Sequence, residues 1–243
     1  MKDTYKIGGK IIEIESVYEE VHKLCSDYKF SGNIDFSVKT VQSDIDFERE
    51  KSISEDKKEG IPVRNFCDSY LETLAVYRKI SERMIELDTI LFHGSVIAVD
   101  GIGYLFTAKS GTGKSTHTRL WREYFGERAV MVNDDKPLLK VTENGVIVYG
   151  TAWDGKHHLS SNISVPLKAI CILGRAEKNH IEKITKSMAY PMLIQQSYRS
   201  GNPEKMKKIL KIINEISDNV SLYKAGFNME IESAETAYNM MKG

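Results

Sequence analysis

Between residues 103 and 121 the chain reads GYLFTAKSGTGKSTHTRLW. An apolar run gives way to glycine, serine and threonine with two lysines, then resumes at helical spacing with Thr118, Trp121 and Phe125. From Ala108 onward this fits the phosphate-binding loop pattern G-x-x-x-x-G-K-[ST], with alanine in place of the first glycine. The residue types follow from the chemistry. Gly111 and Gly113 let the backbone approach an anion with no Cβ in the way. Successive N–H groups then form a concavity for phosphate, and the following helix aims its positive end there. Lys114 adds a point charge and Ser115 a hydroxyl able to ligate Mg²⁺. Ala108 is acceptable at the strand exit if its φ stays negative.

A second short motif completes the chemistry. AVMVNDD, residues 129–135, is a buried strand ending in two acids. A metal held by a serine at a helix start needs a carboxylate opposite, and one of Asp134 and Asp135 can supply it. Successive side chains of an extended segment alternate in direction. One acid can therefore serve the metal while the other faces a nucleophile and takes its proton. Proximity of two like charges is expected to raise one of their pKa values. The second acid is aspartate rather than the glutamate of many ATP-driven motors, and no N-K-x-D guanine signature is present.

The rest of the chain sets the context. YKIGGKIIEIES reads as two strands turning at Gly8-Gly9, SVYEEVHKLCSDY as a short helix, and NIDFSVKT as a further strand with Ile34, Phe36 and Val38 on one side. Residues 43–60, dense in charge of both signs and poor in apolar residues, read as a solvated loop; a substrate-facing arm is the alternative. Residues 64–88 read as a long helix with Phe66, Tyr70, Leu74, Tyr77, Ile80 and Met84 as its apolar stripe. ILFHGSVIAVDGIGYLFT predicts two strands turning at Asp100-Gly101, and PLLKVTENGVIVYGT a second hairpin at Asn144-Gly145. LKAICILG is a further strand, and Asn202-Pro203 opens a helix buried through Ile209, Leu210, Ile213 and Ile216.

The expected fold class is α/β: a mixed sheet with a phosphate-binding loop and flanking helices in residues 63–243, preceded by a small α/β region in residues 1–62. The two hairpins argue against a purely parallel sheet.

Net charge is +0, so a nucleic-acid partner held by bulk charge is not expected. No apolar run has the length of a membrane span, and the first residues lack the apolar core of a secretory signal. With three scattered cysteines, Cys25, Cys67 and Cys171, read as buried small hydrophobes, a cytoplasmic protein is expected.

Taken together, the histidine-glycine pair in LFHGSVIAVDG, the SGTGKS loop and the aspartate pair of VNDD resemble the catalytic domain of HPr kinase/phosphorylase. More distantly they resemble ATP-dependent phosphoenolpyruvate carboxykinases. The resemblance covers roughly residues 88–175, and small HPr-kinase-like enzymes that modify ribosomally made peptides are similar in length. It implies that the backbone from Ser110 through Gly111, Thr112, Gly113, Lys114 and Ser115 to Thr116 holds a triphosphate. It implies that Ser115 and Asp134 hold Mg²⁺, and that Asp135, with Asp134 and His93 nearby, activates a hydroxyl. His93 would orient an aspartate, or else simply pack on its strand.

The later glycine-rich signature of the bifunctional HPr enzymes has no counterpart, so the resemblance does not extend to phosphorolysis or to HPr as substrate. In its place stands YGTAWDGKHHLSSN, residues 149–162, read as an exposed loop. Trp153, Asp154, Lys156 and His157 are its candidates for the substrate side. Arg175 and Arg199 have the planar fork that suits phosphate and are otherwise read as surface residues. The expected activity is ATP- and Mg²⁺-dependent transfer to a hydroxyl, such as serine of a peptide or small protein. A nucleotide-binding switch or ATPase and a small-molecule kinase are the alternatives. ATP versus GTP and homo-oligomer formation are left open.

Overall fold

The computed structural model describes residues 1–109, 111–155 and 157–243, and the chain packs as two compact units, Met1–Arg83 and Met84–Gly243. The sequence reading placed the division at residues 62 and 63; the packing places the long helix that follows residue 63 in the first unit.

In the first unit, strands β1 (Lys2–Ile7) and β2 (Lys10–Glu15) form an antiparallel hairpin, turning where Gly8 and Gly9 both take positive φ. A short helix α1 (Glu20–Leu24) leads to β3 (Phe36–Lys39), which pairs parallel to β2. Alternation buries Tyr5, Ile7, Ile12, Ile14, Phe36 and Val38, while Ile34, expected on the same face, is exposed.

Residues 43–60 are not a loop. They lie in an 18-residue helix, α2 (Gln42–Glu59), closed by Gly60 in the left-handed region. Asp44 accepts the Val41 N–H at its start, a capping contact. The buried face of α2 is partly ionic. Glu48 and Asp56 are buried with Ile45; Arg78 binds Glu48, Lys79 binds Asp44 (2.7 Å) and Arg64 binds Asp56 (2.6 Å). A hydrophobicity pattern cannot register a face built from paired charges.

Helix α3 (Asp68–Met84) follows. Its buried stripe runs through Leu71, Val76, Tyr77, Ile80 and Met84, the last three as expected, while Tyr70 is 44% exposed. Glu72, fully buried, accepts the backbone N–H groups of Val17 and Tyr18 (both 2.7 Å) and the Thr40 hydroxyl.

The second unit is a curled mixed sheet. Strands β4 (Thr89–Leu91), β5 (Ser95–Val99) and β6 (Ile102–Thr107) precede helix α4 (Lys114–Phe125). Then come β7 (Ala129–Asn133), the hairpin β8 (Leu138–Thr142) and β9 (Gly145–Tyr149), and β10 (Ser164–Arg175). Strand β11 (His180–Lys183), helices α5 (Lys186–Gln196) and α6 (Pro203–Asn219), strand β12 (Ser221–Phe227) and helix α7 (Glu232–Met241) complete it.

The strand order is β4-β8-β9-β10-β6-β5-β7, with β12 alongside β10 and β11 alongside β12. The 12-residue β10 serves both halves: its first residues pair with β9, and the remainder lies between β6 and β12, parallel to both. Helix α6 starts as its sequence requires, with the Asn202 side chain accepting from Glu204 and Lys205 N–H. Cys25 and Cys171 are buried as expected; Cys67 is exposed. Among the described residues, no helix is long and apolar enough to cross a membrane.

Candidate active site

Strand pairing alone brings the two motifs together. Both β6 and β7 are antiparallel to β5, so they run the same way and their carboxy ends emerge on one edge of the sheet. The start of β5 lies on that edge too. The glycine-rich loop after β6, the acids after β7 and His93 before β5 therefore converge.

In the loop, Ala108 is buried and does not have a positive φ, which answers the question raised by the missing glycine. Gly111 and Gly113 have φ of 76° and 116°, in the region glycine enters at little cost. Gly113 caps α4. Thr112 closes the turn onto the Lys109 carbonyl through its N–H (3.3 Å) and hydroxyl (2.8 Å). The Lys114 ammonium lies 3.3 Å from the Ala108 carbonyl. Burial lowers the Lys114 pKa, and the charges of Asp135 and Asp134 offset this in part. Thr116 is on the first turn of α4. Ser110 lies outside the described residues.

Arg175, at the end of β10, donates to the carbonyls of Thr112 (3.2 Å) and Gly111. The sequence reading left it open between a phosphate clamp and a surface residue; it is exposed, and it braces the loop. Arg199 has no such place. The signal for Arg175 was unavailable to local reading, because only the parallel pairing of β6 with β10 brings residues 111 and 175 together.

The two aspartates face different partners. Asp134 receives the Ser95 hydroxyl on both its carbonyl (2.9 Å) and Oδ1 (3.0 Å). Ser115 acts on the same carboxylate, lowering its pKa. Burial raises the Asp134 pKa, more than the Ser95 and Ser115 hydrogen bonds lower it; the neighbouring Asp135 charge is a lesser cause than the sequence reading assumed.

Asp135 contacts His93 Nε2 (3.1 Å) and the Lys136 ammonium (2.6 Å). Burial opposes its ionisation, but the His93 hydrogen bond and the Lys136 charge together hold its pKa well below the usual carboxylate range. Asn133 shapes the turn between strand and acids: its Oδ1 accepts from Asp135 N (2.9 Å) and Lys136 N (2.6 Å), while its Nδ2 reaches Thr151. His93 is fixed from its other side, Nδ1 bonding the Gln196 side chain at 2.7 Å. Ser95 and Gln196 are site residues that the sequence reading missed; neither lies in a motif, and strand pairing or tertiary packing supplies both.

Residues 149–155 and 157–162 fold over this edge. Trp153 is buried, and its carbonyl lies 3.4 Å from Asn133 Nδ2, so it packs instead of lining a substrate surface. Asp154 organises the loop by accepting from Ser160 N–H (3.2 Å) and binding His158 (3.0 Å). Gly155 lies so close to Asp134 that a Cβ there would meet Oδ2 at 2.8 Å. His157 is exposed. Lys156 lies outside the described residues. Hard oxygen donors from Ser115 and Asp134 at a helix start suit Mg²⁺, which takes one or two carboxylates and keeps waters. Among the described residues no group of three or more His, Cys, Asp or Glu could hold a metal.

The fold and this edge define a mixed α/β protein in which a strand, a glycine-rich loop and a helix face a strand-end pair of acids. The chain belongs to the family described as SynChlorMet cassette protein ScmC, whose model matches residues 64–224, the loop and both aspartates included. No curated protein matches the sequence. Among solved structures, the HPr(Ser) kinase/phosphatase from Coxiella burnetii is similar at a TM-score of 0.35 and 14% identity, over 63% of this chain and 99% of that one.

Proposed function

We propose that the chain is an ATP- and Mg²⁺-dependent kinase that transfers the γ-phosphoryl group to a hydroxyl, serine of a peptide or small protein being the acceptor that suits it best. The single observation that carries this reading is the convergence, on one edge of the sheet, of the glycine-rich loop that follows β6, with Lys114 at its end, and the acids Asp134 and Asp135 that follow β7.

In this reading the loop amides from Ser110 to Thr116 and the Lys114 ammonium hold the triphosphate and spread its charge. Ser115 and Asp134 would hold Mg²⁺, which would supply charge neutralisation at the transferring phosphoryl group. The acceptor oxygen bonds to the γ-phosphorus as the bond to the β,γ-bridging oxygen breaks, ADP leaves, and the hydroxyl proton passes to Asp135. With its pKa held low, Asp135 is a weak base. That suits a loose transition state, in which the nucleophile surrenders its proton late. His93 and Lys136 keep Asp135 oriented and ionised.

The test is incubation with γ-labelled ATP, Mg²⁺ and peptides encoded beside its gene. Label on a serine or threonine supports the reading. Release of free phosphate alone, or nucleotide binding without turnover, would favour an ATPase or switch; label on a metabolite would favour a small-molecule kinase.

A further inference from the structure

Lys168, Lys183 and Lys186 line a cleft of about 400 Å³ on the edge of the sheet opposite the glycine-rich loop. It opens where β10 and β12 start and β11 ends, with Ser217, Asp218 and Asn219 of α6 in its wall. The wall holds one carboxylate, Asp218, which pairs with Lys186 at 2.7 Å. Lys168 and Lys183 are exposed, and among the described residues neither has an ion-pair partner. Three ammonium groups thus face one carboxylate, and the cleft has positive charge to spare for a further acid.

Helix α5 joins this cleft to the active edge. Lys186 is its first residue. Gln196, its last, accepts the His93 N–H on its carbonyl (2.7 Å) and bonds the His93 ring through its side chain (2.7 Å). Eleven residues of helix span about 16 Å. Met188, Pro191, Met192 and Gln195 recur at helical spacing and share the outer face. Met188 is 57% exposed, Pro191 and Gln195 are exposed, and Met192 is partly so. The Met192 sulfur accepts from Gln196 Nε2 at 3.7 Å, so this stripe ends against the residue that orients His93.

We propose that α5 is the track along which the acceptor peptide lies. An acidic side chain of the peptide anchors in the lysine cleft, apolar side chains lie on Met188, Pro191 and Met192, and the reacting hydroxyl reaches Asp135. The assignment rests on the kinase reading above and adds the substrate class. An extended chain advances about 3.3 Å per residue, so the anchoring Asp or Glu stands about five residues from the phosphorylated serine.

Charge selects the anchor, and the stripe selects a peptide over a small anion. Ammonium groups on flexible stems suit a mobile carboxylate. Exposed ion pairs contribute little each, so the cleft sets register and preference more than affinity. Methionine side chains adapt to neighbours of varied shape, which suits a peptide surface. A small anion would fill the cleft and leave the exposed stripe without a role.

Pairs of fluorescein-labelled peptides test this. Each peptide has one serine, with two adjacent residues about five positions away that are glutamate in one member of the pair and glutamine in the other. The two residues lie on the amino-terminal side of the serine in one pair and on the carboxy-terminal side in a second. By fluorescence anisotropy, the unaltered protein should bind a glutamate peptide about three- to tenfold more tightly than its glutamine partner, and high salt should shrink the difference. Equal binding within both pairs overturns the assignment. Lys168→Glu with Lys183→Glu, at two exposed positions, should abolish the preference; a preference that persists in this variant at the parent's Tm overturns it as well. With γ-labelled ATP, moving the glutamates to two or to ten residues from the serine should lower transfer, and transfer indifferent to spacing overturns the track. Inorganic phosphate that raises Tm, with no binding of either glutamate peptide, would assign the cleft to a small anion instead. Lysine-dependent binding with no transfer to any peptide would sink the kinase reading alone; transfer with no lysine dependence would sink the docking assignment alone.

Discussion

His93 Nε2 lies 3.1 Å from Asp135 Oδ1, although 42 positions separate the two residues in sequence. They meet because β5 and β7 are antiparallel neighbours, with Val96 opposite Asn133. The same pairing puts Ser95 under Asp134. The start of β5 and the residues leading into it thus position both acids, each through a different side chain, and this division of partners separates their ionisation behaviour.

Asp135→Asn should lower phosphoryl transfer by about 10²- to 10⁴-fold while changing nucleotide affinity little, as read by transfer of label and by calorimetry. It should also cost about 1–3 kcal/mol of stability at neutral pH, because His93 and Lys136 lose a charged partner. The sign follows from the depressed pKa. The stabilisation is present above the ordinary carboxylate pKa and is lost as pH falls toward the folded value, so denaturant melts of variant and parent should converge in acid.

Lys114→Ala removes the ammonium beside Ala108 O. Affinity for Mg²⁺·ATP should fall about 30- to 100-fold, with transfer lost. Titration calorimetry with ATP and tripolyphosphate should show the same loss for both, since the lysine serves the phosphates alone.

Arg175→Ala frees two loop carbonyls. Nucleotide affinity should drop about tenfold, and amide exchange across residues 111–116 should quicken. Arg175→Lys should not restore either, because an ammonium lacks the fork that reaches both carbonyls at once.

His117 gives the second unit an acid-sensitive term. Burial pushes its folded pKa down to about 3 from an ordinary value of 6.5. Between these the unfolded chain binds a proton that the folded chain refuses. Stability should therefore decline as pH falls through that window, with a contribution approaching about 1.4 kcal/mol per pH unit. In His117→Gln, whose amide can still accept from Trp121, that part of the slope should vanish in pH-dependent urea melts.

Glu72→Ala would leave the N–H groups of Val17 and Tyr18 and the Thr40 hydroxyl without their buried acceptor. A loss of about 3 kcal/mol or more is expected in the first unit. Glu72→Gln, which keeps an acceptor oxygen, should lose less; circular dichroism melts of the two variants check the order.

The strand–loop–helix at residues 102–125, the hairpin turn at Asp100-Gly101 and the Asn202 cap were legible in the sequence; the second hairpin was legible as well, but it turns one residue earlier than expected, at Glu143-Asn144, with Gly145 already paired to Thr142. Each depends on backbone geometry that only a few residue types satisfy locally. The loop's glycines, Lys114 and Ser115, and the acids Asp134 and Asp135, stood out for the same reason. Helix α2 was not legible, since the residues that hold it, Glu48 with Arg78 and Asp44 with Lys79, are charges that look solvated until a partner helix is known. Nor were the places of Arg175, Ser95 and Gln196, which arise from strands and helices far apart in the chain. Local stereochemistry wrote the motifs; the pairing of β5 with β7 and of β10 with β6 and β12 decided which side chains meet, because that pairing follows from burying a whole sheet and leaves no trace at any single position.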